Sequence, residues 1–304
     1  GEDYIDAIVL RVNAEAIRNA GLTVCLDCAN GAACATSPPL LKKLGVRAIT
    51  LNSDPQGEFP GRLSEPVEEN LKDLITLTKR SGADLGIAHD GDADRCVFVT
   101  GKGGFVSGDK SLALIAGYVL DSEKGKVVTP VSTSSLVEEV AASHGGETEY
   151  TAVGSPVVAR RMMEVKAVFG GEENGGLIFP KMQHCRDGAM SMAKMLEFIA
   201  AAGPLDRAVA ALPSYYVEKR KIECSEKEKD KITEYIEKNA PAAKIDRTDG
   251  LKFVFDDGWI LARPSGTEQI FKIFAESKDA SAAKARADEY VSLARAALEE
   301  IRGQ

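Results

Sequence analysis

Several features that would place the chain in particular classes of protein are missing from its sequence. Acidic residues outnumber basic ones, 46 Asp and Glu against 38 Lys and Arg, which leaves a net charge of -8. A nucleic-acid-binding surface favours an excess of positive charge, so this balance argues against a nucleic-acid partner. No run approaches the ~18 consecutive apolar residues of a membrane-spanning helix, and no secretory signal sequence is visible. We therefore expect no membrane association and a cytoplasmic location.

The six cysteines also lack the grouping that a metal or redox site would require. Cys25 and Cys28 have the spacing of such sites, but no second closely spaced pair accompanies them. Cys25 lies inside an apolar, strand-like run. The sequence therefore favours structural thiols in a reducing compartment.

The most informative stretch that is present is Ala-His-Asp-Gly-Asp-Ala-Asp-Arg at residues 88–95. Asp90, Asp92 and Asp94 alternate directly after a strand-like apolar run at 83–88, so their side chains can converge. Two carboxylates ~4 Å apart repel by ~4 kcal/mol at an effective dielectric constant of ~20, so three would need a cation between them. Ligand oxygens alone favour a hard ion such as Mg²⁺. The stretch therefore predicts a magnesium site.

Two other interpretations of the aspartate run are weaker. An acidic Asp-Gly turn is common and needs no ligand. A calcium-binding EF-hand loop also begins with alternating Asp residues, but it requires Gly at its sixth position and Glu at its twelfth, where this chain has Arg95 and Gly101. Arg95 instead places a permanent positive charge beside the site, which suits an anionic phosphoryl group. The neighbouring His89 could support the site or simply be hydrogen-bonded locally.

A second candidate site lies at residues 262–268, Ala-Arg-Pro-Ser-Gly-Thr-Glu, between two apolar strand-like runs. Arg263 offers a planar fork for bidentate phosphate binding. Ser265 and Thr267 add hydroxyl groups, and Gly266 allows backbone N–H groups to approach an anion closely. An ordinary turn between two strands would have a similar composition. The arginine, the two hydroxyls and the glycine so close together favour phosphate binding.

The third candidate is the glycine-flanked acidic loop Phe-Gly-Gly-Glu-Glu-Asn-Gly-Gly-Leu-Ile-Phe at residues 169–179. The Glu172 carboxylate accepts hydrogen bonds, and the Asn174 amide both donates and accepts them, which suits the hydroxyl groups of a sugar. Loops of this composition are common, so this one is informative mainly in combination with the other two.

Taken together and in this order, the three stretches resemble those of the α-D-phosphohexomutase family, which contains phosphoglucomutase, phosphomannomutase and phosphoglucosamine mutase. In that family an Asp-Gly-Asp-x-Asp-Arg loop binds Mg²⁺, a Gly-Glu-x-Ser-Gly loop recognises the sugar, and an Arg-Pro-Ser-Gly-Thr-Glu loop holds the phosphate of the substrate. The resemblance extends over essentially all 304 residues. The sequences at 170–179 and 186–188 are most similar to the archaeal branch.

The resemblance implies a phosphomutase that moves a phosphoryl group between O1 and O6 of a hexose phosphate through a phosphoserine and a bisphosphorylated sugar. It implies Mg²⁺ as the cofactor and a hexose 1,6-bisphosphate as activator. By the same resemblance, Asp90, Asp92 and Asp94 would hold the metal, and Arg95 would support the transferring group. Substrate binding would fall to six residues: Glu172, Asn174, Arg263, Ser265, Gly266 and Thr267.

The sequence also departs from the family pattern. The catalytic serine of the family lies in a Thr-Ala-Ser-His-Asn-Pro-type loop of an N-terminal domain, and residues 1–304 contain no such loop. We therefore expect a fragment that lacks the N-terminal domain and is inactive by itself. Ser143 is a partial match, but it ends a helical pattern before Gly145 and no Asn-Pro follows, so we interpret it as unrelated.

Two departures affect the sugar loop. Asn174 stands where most of the family has Ser, and Gly176 stands where many bacterial members have His. The general acid and base residues of the family therefore cannot be carried over to this chain.

At ~100–150 residues per domain, the 304 residues suffice for two to three domains. Strand-like and helical segments alternate over 22–104 and 127–201, which predicts parallel or mixed sheets covered by helices, with ligand loops at strand ends. From residue 212 the order changes to a strand, a helix, three closely spaced strands and a final amphipathic helix. The predicted fold is two consecutive mixed-sheet α/β domains followed by a C-terminal α+β domain with an antiparallel sheet. The predicted domains are 1–104, 105–211 and 212–304.

Two other functions remain open on the sequence. The chain could be a free-standing, non-catalytic module that binds a sugar phosphate, or a Mg²⁺-dependent phosphatase that uses an aspartate of the same run as its nucleophile. A mutase would have a hexose phosphate as its small-molecule partner. No residue can be assigned to the choice between glucose, mannose and glucosamine phosphates.

Overall fold

The computed structural model describes residues 1–241 and 243–303, which form eleven α-helices, fourteen β-strands and two 3₁₀ helices. The α-helices are α1 (Glu2–Val9), α2 (Ala14–Ala20), α3 (Ser37–Lys43), α4 (Lys72–Ser81), α5 (Gly108–Ser122), α6 (Ser135–Ser143), α7 (Ser155–Val165), α8 (Gly188–Ala202), α9 (Leu205–Ala210), α10 (Glu226–Asn239) and α11 (Ala280–Gly303). The 3₁₀ helices are Ala32–Ala35 and Glu68–Asn70. Within these described residues, no helix combines the length and the apolar character needed to cross a membrane.

The strands fall into three sheets. They are β1 (Thr23–Asp27), β2 (Arg47–Leu51), β3 (Leu85–His89), β4 (Cys96–Thr100), β5 (Phe105–Val106), β6 (Lys126–Pro130), β7 (Glu147–Thr151), β8 (Phe169–Glu172), β9 (Gly176–Ile178), β10 (Tyr216–Glu223), β11 (Lys244–Asp246), β12 (Leu251–Phe255), β13 (Gly258–Pro264) and β14 (Ile270–Ser277).

The first sheet is mixed and has the strand order β2-β1-β3-β4-β5. β1 pairs in parallel with β2 and β3, whereas β4 runs antiparallel to β3 and β5 antiparallel to β4. Every residue of β1, β3 and β4 is buried, as expected for central strands covered on both faces. The carboxyl ends of β1 and β3 lie side by side, with Asp27 opposite Ala88. The aspartate run leaves the sheet at that edge.

The second sheet has the order β7-β6-β8-β9. β6 and β8 are parallel, and β9 returns antiparallel to β8. Glu172 at the end of β8 pairs with Gly176 at the start of β9, so the glycine-flanked acidic loop is a tight hairpin. α5 and α7 pack against β8, which fixes the strand that carries this hairpin.

The third sheet is antiparallel throughout, in the order β10-β14-β13-β12-β11. α10 and α11 pack on it, and buried residues recur along α11 at helical spacing, for example Ala287, Tyr290 and Ala294. The ring of Tyr290 lies edge-on to Phe253 of β12, with 5.1 Å between ring centroids. A single hydrophobic core therefore joins these helices to the sheet.

The chain divides into two compact units. The first comprises residues 1–129, 136–149 and 154–212, with the first sheet and most of the second. The second comprises 130–135, 150–153 and the described residues from 213 onward, with the third sheet. The predicted fold class, mixed α/β sheets followed by an antiparallel α+β part, is confirmed. Four strands follow α10, where three were predicted. The additional strand is β11, which is only three residues long and so gives a weak signal in the sequence.

Candidate functional site

Three aspartate side chains converge in the loop between β3 and β4. One carboxylate oxygen from each of Asp90, Asp92 and Asp94 lies within 4.8 Å of the others. Asp90 is buried, Asp94 is half-buried and Asp92 is exposed, so solvent reaches the cluster from the Asp92 side. The loop turns at Ala93, whose φ of 62° costs a residue other than glycine about 1–2 kcal/mol. Strain of this kind is common at functional sites.

Asp94 has a buried oxygen atom without a hydrogen-bond partner. Its Oδ2 accepts from Arg186 Nη2 at 2.5 Å, whereas Oδ1 is buried and unpaired, with Arg95 Nε 3.9 Å away. Burial raises the pKa of the Asp94 carboxyl, Arg186 opposes that rise, and the charges of Asp90 and Asp92 add to it. A buried, unpaired oxygen is unfavourable, and a cation shared by the three carboxylates would satisfy it. This all-oxygen set of ligands fits Mg²⁺.

Arg95 holds the C-terminal end of the aspartate loop. Its backbone N–H donates to Asp90 Oδ1 at 3.1 Å, and its Nε donates to Asp90 Oδ2. Its Nη1 donates to Glu65 Oε1 at 2.7 Å. Burial works against the charge of Arg95, but the hydrogen bonds to Glu65 and Asp90 outweigh it and raise the pKa of the guanidinium. A permanent positive charge therefore lies beside the three carboxylates.

His89 is buried and supports the loop. Ser37 Oγ lies 2.9 Å from its Nε2, and its Nδ1 lies 3.2 Å from the backbone carbonyl oxygen of Arg95. Because a carbonyl only accepts, Nδ1 is assigned the proton and Nε2 accepts from the serine hydroxyl. Burial lowers the pKa of His89 to about 4, so the ring is neutral at neutral pH. Both ring nitrogens are used within the protein, which leaves neither for a metal.

Arg62 fastens the start of the loop to the end of β1, a role that no sequence pattern indicated. Its Nε donates to Asp27 Oδ2 at 2.8 Å, and its Nη2 donates to the backbone carbonyl of His89 at 2.5 Å. Its Nη1 donates to the carbonyls of Leu63 and Ser64. The Arg62 and Asp27 side chains are only 6% and 2% exposed. This buried ion pair therefore anchors the residue that directly precedes the aspartate run.

The backbone after β1 also packs directly against the aspartate loop. The Ala32 N–H donates to the carbonyl oxygen of Gly91 at 2.9 Å. A Cβ atom at Gly31 would overlap that same oxygen. Glycine at position 31 therefore allows the two backbone segments to lie this close.

We expect Gly31→Ala to destabilise the protein by about 1–3 kcal/mol, because one of the two segments must move to admit the methyl group. Gly57→Ala is the matched control, since a Cβ there has no atom within 4 Å and such surface changes stay within about 0.5 kcal/mol. Urea unfolding of both variants and the wild type measures the difference. Equal stability of Gly31→Ala and the wild type would show that the close approach has no energetic consequence.

The β8–β9 hairpin holds its two candidate sugar-binding residues in different environments. Glu172 is 4% exposed, and its Oε2 accepts from Arg186 Nη1 at 3.0 Å. Burial raises the pKa of the Glu172 carboxyl, and the positive charge of Arg186 opposes that rise. Asn174 is exposed near the tip, and its Oδ1 accepts from the backbone N–H of Gly176 at 3.1 Å. The hairpin thus presents an amide at its surface and keeps a carboxylate beneath it.

Arg186 joins this hairpin to the aspartate loop, and the sequence interpretation assigned it no role. Its guanidinium donates from Nη1 to Glu172 and from Nη2 to Asp94. Its stem crosses β9 at Gly176, where a Cβ atom would overlap Arg186 Cδ. A side chain at position 176 would therefore displace the stem of the arginine.

Arg263 stands near the end of β13, in the second unit, and is held by Asp249. Its Nη2 lies 3.0 Å from Asp249 Oδ2, and the same oxygen accepts from the Val153 N–H at 2.9 Å. The Arg263 side chain is 12% exposed, and its Nε is buried without a hydrogen-bond partner. One carboxylate therefore orients the guanidinium, whose charge and planar fork suit an anion.

The turn between β13 and β14 combines an open tip with a buried support. Gly266 and Thr267 at the tip are exposed. Ser265 is buried, and its Oγ accepts from the Glu268 N–H at 3.2 Å. Lys229 of α10, itself 4% exposed, donates from Nζ to the carbonyl of Ser265 at 2.6 Å. Lys229 had no signal in the sequence, because its partner lies 36 positions further along the chain.

Ser143 lies at the end of α6, and its hydroxyl donates to the backbone carbonyl of Val140 at 2.8 Å. The adjacent His144 is directed to Asp121, with Nδ1 2.7 Å from a carboxylate oxygen. The hydroxyl is thus engaged within its own helix, and the histidine is directed elsewhere.

Family models of phosphoglucomutase/phosphomannomutase match three consecutive parts of the chain. The alpha/beta/alpha domain II model matches residues 2–104, the alpha/beta/alpha domain III model matches 107–216, and the C-terminal domain model matches 220–293. A phosphoglucomutase/phosphomannomutase of Thermococcus kodakarensis is 45% identical over 302 residues, which are 98% of this chain and 65% of that protein. A probable phosphoglucosamine mutase of Methanopyrus kandleri is 41% identical over 312 residues, covering 99% of this chain and 69% of that protein. The chain belongs to the α-D-phosphohexomutase family.

The chain spans about two thirds of the length of these curated relatives, 65% and 69%. Both relatives are archaeal, which confirms the resemblance to the archaeal branch. A phosphoglucomutase/phosphomannomutase family protein of Burkholderia thailandensis, 27% identical, has a TM-score of 0.85 over 99% of this chain and 64% of that one. An N-acetylphosphoglucosamine mutase of Aspergillus fumigatus, solved in complex with GlcNAc-6P and magnesium, is 17% identical and shares the fold, with a TM-score of 0.68 over 93% of this chain and 64% of that one.

Proposed function

We propose that this chain carries the metal-, sugar- and phosphate-binding loops of a phosphohexomutase that interconverts hexose 6-phosphate and hexose 1-phosphate. The reaction would proceed through a phosphoserine and a bisphosphorylated sugar, with a hexose 1,6-bisphosphate as activator. The names of the relatives support a glucose, mannose or glucosamine phosphate as substrate. One observation carries the proposal, namely three converging carboxylates beside a charged arginine, with one buried oxygen left unpaired.

Asp90, Asp92 and Asp94 would hold Mg²⁺, which would neutralise negative charge on the transferring phosphoryl group. Arg95, fixed by its hydrogen bonds to Asp90 and Glu65, would add a positive charge beside that group. In-line phosphoryl transfer requires chiefly positioning and charge neutralisation from a protein. The magnesium in the A. fumigatus structural relative supports the choice of metal.

Glu172 and Asn174 would bind the hydroxyl groups of the sugar ring. The Glu172 carboxylate can only accept hydrogen bonds when ionised, and the Asn174 amide can donate and accept. These two groups would therefore bind hydroxyls that occupy similar places in the two orientations of the sugar. The GlcNAc-6P in the A. fumigatus structural relative supports a sugar phosphate as the ligand.

Arg263, Ser265, Gly266 and Thr267 would bind the phosphate of the substrate. The oriented guanidinium, the two hydroxyls and the exposed backbone of the tip together provide donors for phosphate oxygens. We further propose that the three roles correspond to three domains, with the metal loop in 1–104, the sugar loop in 105–211 and the phosphate loop in 212–304. We expect none of the serines in these ranges to be the phosphoryl-carrying nucleophile.

Isothermal titration calorimetry of this chain with Mg²⁺ and with glucose 6-phosphate tests the proposal. We expect saturable binding of both ligands and no release of inorganic phosphate. Steady release of inorganic phosphate would favour a Mg²⁺-dependent phosphatase, and the absence of sugar-phosphate binding would contradict the assignment.

A second experiment separates a mutase from a non-catalytic module. The part of the T. kodakarensis relative that this chain does not match is fused to this chain. Conversion of glucose 1-phosphate with catalytic glucose 1,6-bisphosphate is then measured, and turnover is expected.

Arg263→Ala should weaken glucose 6-phosphate binding by about 10–100-fold, because a hydrogen bond to a charged group contributes about 1.5–3 kcal/mol. Mg²⁺ affinity should not change, since the three aspartates belong to the first unit. Arg247→Ala is the matched control, because Arg247 is 58% exposed and pairs with Glu237 in the same unit. Wild-type affinity for glucose 6-phosphate in Arg263→Ala would remove Arg263 from the proposed site.

A further inference from the structure

The proposed function leaves Arg186 without a role, although this residue contacts two of the three loops. Its guanidinium lies between Asp94 and Glu172, which are 92 and 14 positions away in the chain. Each carboxylate accepts from a different nitrogen, Asp94 from Nη2 at 2.5 Å and Glu172 from Nη1 at 3.0 Å. A single rigid, planar cation therefore bridges the aspartate cluster and the sugar hairpin.

The backbone holds Arg186 in a defined position. Arg186 forms an antiparallel bridge with Ile178 of β9. The next residue, Asp187, caps α8 by accepting from the Met190 N–H at 2.8 Å. The stem then crosses Gly176 in contact with the hairpin backbone. Support on both sides of the residue lowers the entropy cost of keeping the guanidinium between two carboxylates.

Both carboxylates are ion-paired with Arg186. Glu172 is buried and Asp94 is half-buried. Removal of Arg186 would therefore leave the Glu172 carboxylate buried without its counter-ion. At Asp94 the arginine occupies Oδ2, so the unpaired Oδ1 is the oxygen left for a cation.

We propose that Arg186 is a positioning residue that couples the metal site to the sugar site. By holding Oδ2 of Asp94 it presents Oδ1 to the cation, and through the same guanidinium it sets the orientation of the Glu172 carboxylate. Binding of Mg²⁺ and binding of the hexose phosphate then both favour the same position of the Arg186 guanidinium. Each ligand therefore raises the affinity of the protein for the other ligand. This inference rests on the proposed function, because it takes Asp94 as a metal ligand and Glu172 as a sugar ligand.

The affinity for Mg²⁺, measured by calorimetry with and without saturating glucose 6-phosphate, reports the coupling directly. We expect the wild type to bind Mg²⁺ at least about 5-fold more tightly when the sugar phosphate is present. Arg186→Met keeps the stem without the fork and should bring this ratio to about one. Arg186→Lys keeps the charge without the bidentate geometry and should give an intermediate ratio. Arg80→Met, at an exposed position of α4, should retain the wild-type ratio.

The outcomes separate this inference from the function on which it rests. A wild-type ratio of about one, or a wild-type-like ratio in Arg186→Met that is folded by circular dichroism, would overturn the coupling role and leave the proposed function intact. If Arg186→Met does not fold, Arg186→Lys decides, and an unchanged ratio in that variant overturns the inference. Failure of the wild type to bind Mg²⁺ or glucose 6-phosphate would instead contradict the proposed function.

Discussion

Asp92→Asn should weaken Mg²⁺ binding by at least about 100-fold while leaving the fold unchanged. Asp92 is the exposed member of the aspartate cluster, so this change removes a charge with little effect on packing. Unit charges ~4 Å apart interact by ~4 kcal/mol at an effective dielectric constant of ~20, and a 100-fold change in affinity needs only about 2.8 kcal/mol. Calorimetric titration of both proteins with Mg²⁺ measures the loss.

Asp73→Asn is the matched control for this experiment. It also removes an exposed carboxylate from the first unit, but on α4 and outside the cluster. We expect it to keep the wild-type affinity for Mg²⁺ and a stability within about 0.5 kcal/mol of the wild type. Should Asp92→Asn bind Mg²⁺ as tightly as Asp73→Asn does, the cluster would not be the metal site.

Arg62→Met should destabilise the protein by about 3–5 kcal/mol, the usual effect of removing one member of a buried ion pair. The Arg62 side chain donates four hydrogen bonds, and the variant would leave Asp27 with a buried charge and without its cation. Asp27 would still accept from the Ala29 N–H and from Asn52 Nδ2, which limits the loss. Urea unfolding of the wild type and the variant gives the difference in free energy of unfolding.

Two further variants show whether the loss comes from the ion pair. Arg80→Met removes an exposed arginine and should change stability by less than about 0.5 kcal/mol. The double variant Asp27→Asn/Arg62→Met should be more stable than the sum of its single variants predicts, by about 0.5–3 kcal/mol, because the two side chains contact each other. Strictly additive effects would mean that Arg62 acts through its backbone partners alone.

The spacing of the aspartates was enough to predict that Asp90, Asp92 and Asp94 come together, since alternate side chains of an extended segment share a direction. The order of strand-like and helical segments was likewise enough to predict the fold class, because alternation leads to mixed sheets covered by helices. One large element gave no such signal. α5 was not predicted, and with ten of its fifteen residues buried it has little of the polar face that reveals a surface helix.

The supporting residues could not be predicted for a different reason. Arg62 acts on Asp27, 35 positions away, and Arg186 acts on Asp94, 92 positions away. No local pattern distinguishes such an arginine from one on the surface. Gly176 is similar, because the arginine stem that a side chain there would displace comes from ten positions away.

By itself, the sequence determined the chemistry of each loop, because hydrogen-bonding capacity and charge belong to the side chains and their alternation is set by the local backbone. It also determined the alternation of strands and helices, but not α5 or the fourth strand after α10. Only the tertiary structure decided which charges are buried, which oxygen of Asp94 stays unpaired, and that one guanidinium links the aspartate loop to the sugar hairpin. These properties arise from contacts between residues far apart in the chain, and burial makes their charges depend on one another.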